Sequence, residues 1–242
     1  MDLVKQEYWD ESYSNHSFVE LPGDNPIKQW INDVACLKPN GACIEIGTYP
    51  GGYINEFGKL GYEISGIDLT PRVVELMEVF ANKKYKVGSF IQSDFLEYCF
   101  LEKYDIVCSF GFIEHFLNYK MIIQKHADIL KSGGVLLIVT PSFSSPIQLF
   151  LRRMIDNENL KRHNLKSMNP NDWAAYLQNK GFNVVRKDYI GGFDFWVDNQ
   201  KYNFLQKIAF KTIFFILPML KKAFHMKSSV YSPYCGIIAI KK

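Results

Sequence analysis

Residues 44–53 read Ile-Glu-Ile-Gly-Thr-Tyr-Pro-Gly-Gly-Tyr, and residues 66–68 read Gly-Ile-Asp. The pattern is an apolar strand, a glycine turn, a helix, and a second strand closed by an acid. Asp68 follows Gly47 by 21 residues. That spacing sets a carboxylate where a bound nucleoside presents its ribose hydroxyls. The chain is thereby constrained to an α/β fold with an adenosine-type cofactor at its first turn.

Strand–helix alternation continues beyond this unit. Residues 42–47 form a short buried-type strand. Residues 53–60 suit a helix ended by Gly61, and 63–68 the next strand. A helix is expected over 71–82, with Pro71 in its first turn. Strands are expected at 89–92 and 104–110, then a helix over 118–131 stopped by Ser132-Gly133-Gly134. Residues 135–140 are apolar and β-branched, as in a central strand covered on both faces. A helix over 170–180, with Asn169 as N-cap, precedes strands at 182–189 and 236–240. Strands spaced by helices of this length predict a mostly parallel sheet with helices on both faces.

Residues 1–242 read as one domain with three additions. Residues 1–29 are a polar, acidic and aromatic arm with a short helix that folds over a site. Residues 142–168 and 201–227 are insertions that break the alternation. The net charge of +3 is too small to argue for nucleic acid. Five cysteines, an odd number without a CxxC pair, fit a reduced, cytoplasmic compartment. The N-terminus has no basic region followed by an apolar run, so no secretory signal is expected.

In an open α/β sheet, ligands bind beyond the carboxyl ends of the strands. Gly47 and Gly51-Gly52 close the first strand, Asp68 the second and Ser93-Asp94-Phe95 the third. Gly111-Phe112-Ile113-Glu114-His115 follows the fourth, and Thr140-Pro141-Ser142 the fifth. Together with Glu45-Ile-Gly47, Gly66-Ile-Asp68, Gln92-Ser-Asp94-Phe95, 104–109 and 130–136, these residues resemble the ordered motifs of class I S-adenosylmethionine-dependent methyltransferases.

The resemblance implies a Rossmann-like, seven-stranded sheet whose last strand, 236–240, runs antiparallel. It implies S-adenosyl-L-methionine as cofactor and S-adenosyl-L-homocysteine as product. By position, Glu45 and Gly47 would lie by the methionine part, with Gly51 and Gly52 free of a Cβ that would clash. Asp68 would accept both ribose hydroxyls and Asp94 the adenine amino group. Ser93 belongs to the same set, and Leu69 and Phe95 would pack about the adenine. Gly111 and Phe112 would line the pocket near the sulfonium. Tyr49 stands where the family commonly has glycine, so the cofactor loop is reshaped there. A narrower likeness, to methyltransferases of bacterial surface-polysaccharide loci, implies a sugar or phosphorylated sugar acceptor.

Methyl transfer to a hydroxyl benefits from a general base. His115 is the expected base and Glu114 its orienting or alternative partner. His16, His126, His163 and His225 are scattered, and no metal is expected. Five bases against two acids in 142–168 point to an anionic acceptor. In 201–227, Lys207, Lys211, Lys221, Lys222 and His225 fall within about one third of a helical wheel, and the rest is largely apolar. Pro218 is expected to kink or end that helix. The segment is too short to span a bilayer, and its amphipathic residues 204–226 suit peripheral contact with the inner membrane face. A nicotinamide enzyme shares the first turn and the acid, but favours Gly-x-Gly-x-x-Gly over this chain's Gly-x-x-x-Gly-Gly. It stands as an alternative, beside N-methylation of a small molecule and a cofactor-binding partner without turnover.

Overall fold

The computed structural model describes residues 3–4, 6–14, 16–198 and 200–242. Positions 1, 2, 5 and 15 of the expected arm therefore lie outside the described residues. Helices α1 (Gln6–Tyr13) and α2 (Ile27–Leu37) precede strand β1 (Ala42–Ile46). Then come α3 (Gly52–Lys59), β2 (Glu63–Asp68), α4 (Glu75–Asn82), β3 (Lys86–Gln92), β4 (Tyr104–Phe110) and α5 (Tyr119–Asp128). The second half runs β5 (Leu130–Pro141), α6 (Pro146–Ile155), α7 (Asn157–Lys161), α8 (Pro170–Asn179), β6 (Phe182–Ile190), α9 (Phe204–Ala223) and β7 (Tyr234–Lys241).

The strands form one seven-stranded sheet in the order β3-β2-β1-β4-β5-β7-β6. Strands β1 to β5 pair in parallel, and β7 is antiparallel to β5 and β6. Strand order reverses between β1 and β4, so a ligand crevice opens at their carboxyl ends.

Side-chain alternation divides the core between the two faces. Ile44, Val107, Leu136 and Ile138 point to the face covered by α5 and α8. Cys43, Ile106, Leu137 and Val139 point to the face covered by α2, α3 and α4. Both faces of the central strands are apolar because both are covered.

Most expected elements appear, with shifted ends. Asn169 caps α8 by accepting the Asn171 amide at 3.0 Å. The helix expected over 71–82 opens as a 3-10 turn, Pro71–Val74, before α4. Strand β3 is longer than 89–92 because pairing with β2 extends it through polar residues. Helix α5 stops at Asp128, short of 131, because Leu130 already pairs with Tyr104 in the sheet. The glycines at 133–134 sit in a register break of β5 instead of ending a helix. Helix α9 passes through Pro218 without ending. Helix α2 was not among the expected elements, although Ile27, Trp30, Ile31 and Val34 give it a buried face at helical spacing.

Candidate active site

The loop from β1 to α3 is held by two acids. Glu45 is buried, and its Oε2 accepts the Thr48 hydroxyl at 3.1 Å and the Ile54 amide at 3.0 Å. This fastens the first turn of α3 to β1. Burial pushes the Glu45 carboxyl well above the usual range, against those two donors. Asp68, ending β2, accepts the Tyr49 amide at 3.0 Å on one oxygen and the Thr70 amide at 3.1 Å on the other. Its carboxyl is pushed up to about 6 by burial, while the Thr70, Tyr49 and Leu69 amides pull the other way. Each oxygen keeps a lone pair for a further donor.

The glycines are required by the protein itself. Gly47 and Gly51 have φ of +70° and +89°, a region L side chains rarely adopt. A Cβ on Gly47 would lie 2.6 Å from the Phe112 ring. One on Gly51 would meet Leu76 of α4 at 2.9 Å, and one on Gly52 would come 3.1 Å from the Val19 carbonyl oxygen. The expected clash is thus with α4 and the arm.

Tyr49 has a definite task. Its hydroxyl donates to the His16 carbonyl at 2.7 Å, and its ring meets Tyr13 edge-on at 5.2 Å. Arg72 lies over the same ring and donates to the Tyr13 carbonyl at 2.7 Å. The large residue in the glycine loop thereby anchors the arm. Helix α1 is laid across the strand ends, with Trp9 edge-on to His115 at 5.0 Å.

Beneath the arm lie two adjoining cavities. The first, about 320 Å³, is bounded by the ends of β1, β2 and β3. Every residue expected to face the cofactor lines it: Glu45, Gly47, Tyr49, Gly51, Gly52, Asp68, Leu69, Ser93, Asp94, Phe95, Gly111 and Phe112. Asp94 also accepts the Leu96 amide at 2.7 Å, closing its own turn. Phe95 is buried against Phe112 and His126, so it serves the core as well.

The second cavity, about 280 Å³, has walls from Tyr8, Phe143, Trp196 and Tyr234 and a polar floor of Glu114, His115 and His163. The two cavities share Trp9, Tyr53, Phe110, Gly111 and His115. Tyr53 stacks on Phe110 at 4.2 Å at this junction.

A family model described as "Methyltransferase domain" matches residues 23–187. The chain belongs to this methyltransferase family. A curated relative, the ubiquinone biosynthesis O-methyltransferase of Nitrobacter winogradskyi, is 23% identical over 145 residues, or 55% of this chain and 54% of that protein. The chain spans about half the length of the curated relatives it matches. The methyltransferase is also similar to a solved S-adenosylmethionine-dependent methyltransferase from Geobacter sulfurreducens in complex with S-adenosyl-L-homocysteine. The TM-score is 0.60 at 14% identity, over 99% of this chain and 100% of that one. A second, from Archaeoglobus fulgidus, gives 0.55 at 17% identity, over 98% and 100%. At these identities the likeness is one of fold. Membership in the family favours a methyl donor over the nicotinamide alternative.

In this methyltransferase, Glu114 and His115 follow β4 in a 3-10 turn, Ile113–His115. His115 is 9% exposed, and its Nδ1 sits 3.1 Å from the Arg162 carbonyl. A carbonyl only accepts, so Nδ1 carries the proton and the lone pair is on Nε2. Burial pushes the imidazole down to about 4, partly offset by that carbonyl. Glu114 is 1% exposed, and its Oε2 has no partner among the described residues. Burial pushes its carboxyl up to about 8.

His163 is distant in sequence from Glu114 and His115, yet the fold sets its ring 4.8 Å from His115, which corrects the expectation of scattered histidines at this position. Its Nδ1 lies 2.7 Å from the Asn159 carbonyl. Glu114, His115 and His163 offer ligand-type atoms all within 4.8 Å of one another. Two imidazoles and a carboxylate can hold a divalent transition metal. Nothing in the local sequence announces this grouping, because 142–168 must fold back over β4 to make it.

The five bases of 142–168 do not gather at the mouth. Arg152 is fully buried, 3.4 Å over the Phe143 ring and ion-paired with Asp156. Lys161 pairs with Glu158 at 2.6 Å. Of the five, Arg162 lines the second cavity, and it is already paired with Asp198.

Proposed function

We propose that this methyltransferase binds S-adenosyl-L-methionine in the first cavity and methylates a hydroxyl of a small ring compound held in the second. The observation that carries the reading is the shared wall: one pocket for an adenosine-bearing donor opens onto one for an acceptor at Tyr53, Phe110, Gly111 and His115. When bound, the donor supplies a sulfonium methyl group that is already activated, so the protein chiefly supplies alignment. Asp68 would accept the ribose hydroxyls and Asp94 the adenine amine, and Leu69, Ser93 and Phe95, which line the same cavity, would surround the base. Gly111 and Phe112, at the end of β4, would close the pocket beside the sulfonium.

His115 would take the proton of the acceptor hydroxyl, whose oxygen would receive the methyl group that the bound donor supplies. Its imidazole is neutral at physiological pH, which is the form a base requires. Glu114, whose buried Oε2 has no partner among the described residues, would hold the acceptor hydroxyl. The aromatic walls suit the face of a flat or sugar ring. The surface-polysaccharide acceptor gains no support from the relatives, one of which is named for ubiquinone biosynthesis. An anionic acceptor meets an arginine whose charge Asp198 already offsets.

Replacing His115 by Asn tests the role of the base. The expected result is a loss of kcat of about 10²–10⁴-fold, the usual worth of a general base, with cofactor affinity intact. Unchanged turnover would favour N-methylation, since an amine attacks with its own lone pair and needs no base.

A further inference from the structure

Helix α9 lies outside residues 23–187 that the family model matches. Its inner side, Ile213, Phe214, Leu217 and Leu220, packs on Phe193 and Phe195. Its outer side is uncovered. Phe215 is 83% exposed, Phe204 76% and Met219 71%, with Leu205 and Ile208 also exposed. At 100° per residue, Phe204, Ile208, Phe215 and Met219 fall within about 60° of one another. Lys207, Lys211 and Lys222 fall within about 60° along one edge of that stripe. Helix α6 adds exposed Ile147, Phe150 and Met154 beside it, joined where Gln206 donates to the Met154 carbonyl. An apolar patch of this kind on one face marks an interaction surface.

Charge decides the occupant. The helix contains four lysines and no acid. Lys221 is paired with Asp194 at 2.9 Å, while Lys207, Lys211 and Lys222 make no ion pair among the described residues. A two-fold contact between copies would set lysine against lysine. None of the helices described is long and apolar enough to cross a membrane. A 20-residue helix lying flat presents about 30 Å of edge. We propose that α9 docks in the plane of an anionic lipid surface, with its aromatic stripe among the acyl chains and its lysines at the headgroups. The segment beneath α9 also carries Trp196 and Asp198, which line the second cavity. Docking therefore sets that cavity beside the lipid surface.

Co-sedimentation with phosphatidylcholine vesicles, with and without phosphatidylglycerol, tests this on the full chain. Binding is expected to the anionic vesicles at low salt and to weaken as salt rises. Phe215→Glu with Met219→Glu should reduce binding by at least about tenfold, since each buried side chain of that size contributes strongly. Lys211→Gln should reduce it by about fivefold, the equivalent of about 1 kcal/mol for one lysine at an anionic surface. Both changes lie on exposed positions, and circular dichroism melting verifies that the variants fold. Failure of the unaltered protein to bind anionic vesicles at low salt would overturn the proposal. So would equal binding by the Phe215→Glu, Met219→Glu variant, or a stable dimer that this variant dissolves.

Discussion

Asp68 carries two duties at one carboxylate. It pins the Tyr49 and Thr70 amides, and in the proposed complex it accepts the ribose hydroxyls. Burial raises its carboxyl to about 6. The sign for ligand binding follows. Hydroxyls donate to the ionised form, so the bound state holds fewer protons than the free state. Affinity for S-adenosyl-L-homocysteine is therefore full above about pH 6 and declines below it, by up to about tenfold per unit of pH. Titration calorimetry across that range reads this directly, and Asp68→Asn should flatten the dependence while weakening binding at neutral pH. The Glu114–His115–His163 grouping gives a second prediction at this scale. If His115 serves as a base, turnover in excess chelator should match turnover without it. Loss of activity that an added divalent ion restores would make the three side chains metal ligands.

Among the elements, the arm and its anchor matter most. Tyr49 breaks the glycine pattern of the loop, and the structure supplies the reason in its bond to the His16 carbonyl. Tyr49→Phe keeps the ring contacts with Tyr13 and Arg72 and removes that bond. One hydrogen bond contributes about 0.5–1.5 kcal/mol. Cofactor release should therefore quicken by about 2–10-fold in stopped-flow measurements, with little change in melting temperature. The arm was legible as a cover for a site because its aromatic residues had no strand or helix core to join. Helix α2 left an equally plain trace in its i, i+3, i+4, i+7 apolar spacing, which the polar surroundings of residues 1–29 masked. The boundary of β5 was hidden for a different reason. Glycines at 133 and 134 look like a stop signal, but sheet pairing at Leu130 decides where the strand begins. Pro218 likewise looks like a break, yet α9 continues across it.

Across the whole molecule, the legible part of the site is the part made by strand ends. Each strand end delivers its residues to the crevice at the β1/β4 reversal, so Asp68, Asp94 and Gly111 meet there because of topology alone. The second cavity is assembled from the arm, the 142–168 insertion and the segment around Trp196. Such long-range closure leaves no periodic or spacing signal, which is why the sequence places His163 in no cluster and does not separate Arg162 from the other four bases of 142–168. The central claim is that the first cavity is a donor site for methyl transfer. Titration calorimetry with S-adenosyl-L-homocysteine and, separately, NAD tests it most directly. One saturable site for S-adenosyl-L-homocysteine, lost or much weakened in Asp68→Asn, with no heat from NAD, is the predicted result. Binding of NAD without S-adenosyl-L-homocysteine, or of neither by folded protein, would contradict it.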